Sequence, residues 1–118
     1  MVTNAFQARV RGAQGVPVIE LSGDINSSAE EALNLAFSRA SAAAPDALVL
    51  NFVNVTYINS TGIALIVGLL ASARKKRIEL RVAGLSDHYR HIFSITRLSD
   101  FMSIFDDEAS ATAASGAG

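Results

Sequence analysis

The sequence predicts an α/β fold: a small mixed β-sheet of about five strands, opening with an antiparallel hairpin, continuing through parallel βαβ units, and with helices packed on it. Three observations carry this prediction. Two strand-like stretches lie close together near the start, separated by a short glycine-containing turn. Beyond them, short apolar runs alternate with stretches of helical periodicity, in the order β-β-α-β-α-β-α-β. Finally, 118 residues, half of them apolar, suffice for one domain with an adequate core and no disulfide.

Residues 5–11 alternate, with Phe6, Ala8 and Val10 on one face and Gln7, Arg9 and Arg11 on the other. That is a half-exposed strand. Residues 12–15 supply a turn between two glycines, and 16–21 form a second, more apolar strand. Pro17 suits a strand start. Residues 22–28 read as a polar loop. Ser27 with Glu30, or Ser28 with Glu31, has capping-box spacing. The helix that follows is expected to reach Ala43, with Ala29, Ala32, Leu33, Ala36, Phe37 and Ala40 along one face. Pro45 and Asp46 stop it. Residues 47–52 are a short apolar run of the kind that makes a buried strand.

A polar knot follows, Asn59-Ser60-Thr61-Gly62, and then at once Ile63, Leu65, Ile66, Val67, Leu69 and Leu70. Asn and Ser favour helix N-caps, because their side-chain oxygens accept from free first-turn amides. The helix is expected from Ser60 to Lys76 and is apolar enough to be largely buried. Its hydroxyls would sit at the positive end of the helix dipole, where a phosphate is favoured. A simple turn and cap would use the same residues. The helix ends in Arg74, Lys75, Lys76 and Arg77, which match the negative end of the dipole.

Residues 78–83 form the next strand, with Leu80 and Val82 alternating against Glu79 and Arg81. Ser86 or Asp87 can cap a third helix that places Tyr89, Ile92, Phe93 and Thr96 on one face. His88 and His91 share another face, but no third ligand accompanies them, so they read as exposed helix residues. Residues 101–105 suggest a last strand, and residues 106–108 a last helical turn. The Ala, Ser, Thr and Gly composition from Ala109 onward suggests a frayed tail after an ordered core over about 5–108.

Net charge is −1 and no basic stripe is present, so direct nucleic-acid binding is not expected. The absence of cysteine excludes a disulfide scaffold, a thiol nucleophile and a Cys-ligated metal. No signal-peptide pattern opens the sequence, and its longest apolar run is too short for a membrane span. A cytoplasmic protein without membrane insertion is expected. Phosphate-binding loops, dinucleotide fingerprints and Gly-x-Ser-x-Gly elbows are absent, and Glu20, Asp24 and Asp46 are scattered acids. No enzyme, cofactor or metal site is expected. A binding or switch module is.

Three stretches, in order, resemble the STAS domain family, and within it the bacterial anti-sigma factor antagonists. Leu21-Ser-Gly-Asp-Ile-Asn26 resembles the family's Gly-Glu-Leu-Asp turn. The run from Leu50 to Ile63 resembles its strand followed by Asp-Ser-Ser/Thr-Gly. Gly84-Leu-Ser with the run from Ile92 to Leu98 resembles its last helix and the approach to the final strand. The resemblance implies an antagonist that binds an anti-sigma factor serine kinase and is released when the kinase phosphorylates the serine at the start of the central helix. A phosphatase would reset it. That serine corresponds to Ser60, with Thr61 a weaker acceptor. The implied partner surface comprises Asp24, Ile25, Asn26, Ser27, Asn59, Ser60, Thr61 and Gly62. The sequence departs from the family at two acids: Asn59 precedes the serine, and Asn26 ends the first turn, with Asp24 kept two residues earlier. The alternatives are a STAS scaffold or transporter-associated subunit without phosphorylation, and an anion- or nucleotide-sensing STAS module.

Overall fold

The computed structural model describes residues 5–12 and 15–114. Its sheet runs in the order β1 (Gln7–Arg11), β2 (Val18–Ile25), β3 (Ala47–Ile58), β4 (Glu79–Ala83), β5 (Ser103–Phe105). β1 pairs antiparallel with β2, and every later pair is parallel. The helices α1 (Glu30–Ser41), α2 (Ser60–Lys75) and α3 (Asp87–Ile95) are the crossovers between successive parallel strands. Because the strand order never reverses and crossovers are right-handed, all three lie on one face of the sheet. A fourth helix, α4 (Glu108–Ala113), closes the order and packs on the other face.

Strand alternation builds the main core. Ile19 and Leu21, Leu48 and Leu50, and Leu80 and Val82 point to the helix side and meet Leu33, Phe37, Ile66, Leu70 and Phe93. Burying each such side chain stabilises the fold by roughly 1.5–3 kcal/mol. Phe52 of β3 meets Phe93 of α3 edge to face, with ring centroids 6.2 Å apart. The opposite residues, Val18, Val49 and Ala83, form a smaller cluster with Ala111 of α4.

Several boundaries differ from the sequence expectation. β2 continues through residues 22–25, which were expected to be loop, and β3 continues to Ile58 rather than ending at Phe52. The two strands extend each other by pairing from Ser22↔Asn54 to Ile25↔Ile58, with register shifts between Glu20 and Ser22 and between Gly23 and Asp24. The capping box is not formed. Asn26 is the cap of a 3-10 turn, Ser27–Ala29, and its Oδ1 accepts from the Ser28 amide and hydroxyl. α1 therefore begins at Glu30 and ends at Ser41, not Ala43. α2 is buried only along Gly62, Ile66, Leu69, Leu70 and Ala73; Ala64, Val67, Gly68 and Ala71 are exposed. The tail expected to fray from Ala109 is helical to Ala113, with Ala111 buried. The predicted turn falls partly on residues 13–14, and the end of the predicted tail on 115–118; these lie outside the described residues.

Arg81 is the largest departure. Its alternation places it on the face opposite Leu80 and Val82, yet it is 1% exposed. It pairs with Glu79 at 3.0 Å and donates from Nη1 to the carbonyls of Ala111 at 2.7 Å and Ala114 at 3.1 Å. Those carbonyls belong to the C-terminal end of α4, where a cation is favoured. Glu108, at the other end of α4, receives Arg11 Nη1 at 2.8 Å and Asn51 Nδ2 at 2.9 Å.

Candidate functional site

The parallel pairing of β2 and β3 brings their C-terminal ends together, and each strand hands over there to a capped turn. The Asn59 amide donates to the Ile25 carbonyl at 3.2 Å. The stretch 24–27 and the stretch 59–62 are thereby neighbours, although more than thirty positions separate them in sequence.

Asn59 is the N-cap of α2. Its Oδ1 accepts from the Gly62 amide at 2.8 Å, and its carbonyl accepts from Ile63 at 2.9 Å. Ser60 is therefore the first helical residue rather than the cap. Helix geometry leaves the amides of Ser60 and Thr61 without intrahelical partners. Both side chains are exposed, and neither makes a hydrogen bond among the described residues. Gly62 is buried for a steric reason. A Cβ there would lie 2.1 Å from the Ile25 carbonyl oxygen and 2.9 Å from Ile58 Cγ2. The first turn of α2 can approach β2 this closely only because residue 62 has no side chain.

On the β2 side, Asp24 is half-buried and its Oδ1 accepts from the Thr56 hydroxyl across the strand pair. Asn26 caps the next turn and Ser27 is exposed. Ile25 corrects the expected contact surface. It is fully buried in the main core, so its side chain cannot meet a partner; its carbonyl serves the site instead. Gly62 likewise contributes backbone and closeness rather than an outward contact.

Some residues that shape the site were not singled out from the sequence. Tyr89 of α3 reaches the end of β3, where its hydroxyl accepts from the Ile58 amide at 2.8 Å. The signal was available: a tyrosine on the buried face of an amphipathic helix needs a partner for its hydroxyl. Val53 and Tyr57, 63% and 56% exposed, stand on the part of β3 that outruns β4. Along α2 after the Ser60 turn, Ala64, Val67, Gly68 and Ala71 are exposed and uncharged. His88 and His91 are exposed, as expected. No cluster of three or more metal-ligating side chains occurs among the described residues, and no helix among them is long and apolar enough to cross a membrane.

The arrangement offers an exposed hydroxyl at a helix N-terminus, on a turn fixed from β2, with a second capped turn alongside.

The curated proteins similar to this chain include the anti-sigma-B factor antagonist of Staphylococcus aureus (strain NCTC 8325), 39% identical over 57 residues, 48% of this chain and 53% of that protein. The chain thus spans about half the length of the curated relatives it matches. Among solved structures, an anti-sigma factor antagonist from Mycobacterium paratuberculosis superposes with a TM-score of 0.78 at 22% identity, over 92% of each chain. The phosphorylated form of the Bacillus cell fate determinant SpoIIAA superposes with a TM-score of 0.65 at 22% identity, over 90% of this chain and 96% of that one. At these identities the two structures share the fold. The sequence profile of the STAS domain matches residues 7–111, from the first strand into the last helix, and the chain belongs to the STAS domain family.

Proposed function

We propose that this chain is an anti-sigma factor antagonist, a regulatory binding protein rather than an enzyme, switched by phosphorylation of Ser60. The observation that carries the reading is the exposed Ser60 hydroxyl at the first position of α2, immediately after the Asn59 cap. The similar curated protein named as an anti-sigma-B factor antagonist and the structural likeness to SpoIIAA support it. The partner is an anti-sigma factor serine kinase, and a phosphatase reverses the modification. Both act in the cytoplasm.

The chemistry is consistent with the turn. The Ser60 oxygen attacks the γ-phosphorus of ATP on the kinase, its proton passes to a base of the kinase, and ADP leaves. The product carries about −1.5 to −2 charges at neutral pH. The start of α2 favours that charge through the helix dipole and the amides of Ser60 and Thr61. Residues 26 and 59, where the family has acids, are asparagines, so neither adds a carboxylate beside the phosphate. Both remain effective caps, which preserves the turns while changing their charge. A partner packed on Asp24, Asn26, Ser27 and the 59–62 turn would meet the phosphate's bulk and charge and be released. Thr61, one position into the helix, is the secondary acceptor.

Calorimetric titration against the anti-sigma factor kinase of its own host tests the reading. Ser60→Ala should bind as the wild type does and resist phosphorylation. Ser60→Asp should bind at least about tenfold more weakly, a difference of 1.4 kcal/mol. Equal binding by wild type and Ser60→Asp contradicts it.

A further inference from the structure

β3 runs on to Ile58, whereas its last residue paired with β4 is Asn51, opposite Ala83. Beyond that point no strand among the described residues pairs with the far edge of β3. At Ile58 the missing strand is replaced by a side chain. The Tyr89 hydroxyl accepts from the Ile58 amide at 2.8 Å and donates to the Ile58 carbonyl at 3.4 Å. Tyr89 is 9% exposed, so this contact is shielded from water. Phenylalanine would fill the same space and leave a buried amide without its acceptor.

Tyr89 is itself placed by its surroundings. Ser86 caps α3 by accepting from the Tyr89 amide at 3.3 Å. Gly84 turns the chain out of β4 at φ +76, so close to β3 that a Cβ would lie 2.9 Å from the Val53 amide nitrogen. The far side of the turn is fixed separately, by Asn59 donating to Ile25 and by the close approach of Gly62 to Ile25 and Ile58. The turn that carries Ser60 is therefore held at two places, by β2 through Asn59 and Gly62, and by α3 through Tyr89.

We propose that Tyr89 is a positioning residue for Ser60: its hydroxyl fixes Ile58 and so holds the adjoining turn in the geometry in which Ser60 is presented to the kinase, coupling α3 to the switch. The proposal rests on the reading of Ser60 as the phosphoacceptor. Without the hydroxyl, the turn samples other geometries and a smaller fraction is aligned for in-line attack, while the surfaces the kinase touches are unchanged. The loss should therefore fall on the maximal rate and not on the apparent KM.

The test compares wild type, Tyr89→Phe and Ser38→Ala in the full chain, Ser38 being an exposed residue of α1 outside the site. Amide exchange by NMR reads the turn, and initial rates of Ser60 phosphorylation, in host lysate with ATP and graded amounts of the protein, read its presentation. In Tyr89→Phe the Ile58 amide should exchange roughly five- to tenfold faster, with Leu50 and Val82 unchanged, as expected for loss of one hydrogen bond. The maximal rate should fall about three- to tenfold, with apparent KM within about twofold. Ser38→Ala should leave the Ile58, Leu50 and Val82 amides and the maximal rate unchanged. Three results would overturn the proposal: unchanged exchange at Ile58, faster exchange throughout the sheet, or a local change at Ile58 with no fall in maximal rate. If the wild type takes no phosphate on Ser60, the switch reading fails instead. The exchange data and the Ser60 amide chemical shift then decide whether Tyr89 holds the turn.

Discussion

Replacing Gly62 with alanine is expected to be among the most damaging single-methyl additions in this chain. The added Cβ would lie 2.1 Å from the Ile25 carbonyl oxygen, 2.9 Å from the Ile25 carbonyl carbon and 2.9 Å from Ile58 Cγ2. Ordinary contact between carbon atoms is about 3.5–4.0 Å, so the start of α2 must move by roughly an ångström. The nearest atoms are backbone and cannot swing away. The shift strains the Asn59 to Ile25 hydrogen bond and the Asn59 cap on Gly62. Overpacking costs about 1–3 kcal/mol, and weakening the cap adds about 1 kcal/mol. Alanine's better helix propensity returns at most about 1 kcal/mol. The net expectation is a loss of about 1–3 kcal/mol, read as a fall in Tm of roughly 5–15 °C. Gly68→Ala is the internal control. It lies in the same helix, is exposed, and a Cβ there meets nothing within 4 Å. It should raise stability by about 0.5–1 kcal/mol through helix propensity alone. Thermal and urea unfolding of both variants would refute the steric argument if Gly62→Ala proved as stable as the wild type, or if both substitutions changed stability in the same direction.

Other consequences follow from the second face of the sheet. Arg81→Met should cost about 3–5 kcal/mol, because Glu79 loses its cation and the Ala111 and Ala114 carbonyls lose their donor. Faster amide exchange in α4 than in α2 would show that the loss begins there. The hydrogen bonds from Arg11, outweighing burial and aided by Asn51, hold the Glu108 carboxyl below its usual pKa. Its contribution is therefore complete above the unfolded carboxylate pKa, about 4.3, and is lost as pH falls through the lower folded value. Tm measured from pH 7 to pH 3 should fall more steeply for the wild type than for Glu108→Gln. Burial alone would raise the Glu79 carboxyl, but the Ser103 and Arg81 hydrogen bonds bring it below its usual pKa, so it contributes a loss in the same direction.

Much of the fold was legible because its elements obey local rules. The strand alternation at Leu80 and Val82, the helical face through Leu33, Ala36, Phe37 and Ala40, and the Ser86 cap need nothing beyond neighbours in sequence. What was missed depends on distant partners. Residues 53–57 mix Asn and Thr with apolar residues and look like the end of a strand, but pairing with residues 22–25 keeps β3 extended. The burial of Arg81 was not legible because the covering helix is short and rich in alanine, with little periodic signal of its own. α2 was expected to be largely buried because of its apolar run from Ile63 to Leu70; Ala64, Val67, Gly68 and Ala71 are exposed, and three of these four are small enough to expose little apolar area.

The candidate site was legible in the same measure. Asn59, Ser60, Thr61 and Gly62 were identifiable as one turn, and Asp24, Asn26 and Ser27 as its companion. That Ile25 turns inward, and that Gly62 is required by contact with β2, could be known only once β2 and β3 were seen side by side. Tyr89 enters from a third element and has no sequence proximity to either turn.

The central claim is that Ser60 is a reversible phosphoacceptor. Phosphosite mass spectrometry on this protein purified from its own host, in growth and under stress, tests it most directly. The account predicts phosphate on Ser60 whose occupancy changes between the two conditions. A fully covered Ser60 peptide that stays unmodified in both would contradict it, and would leave Ser60 as the first residue of a capped helix in an unphosphorylated STAS scaffold.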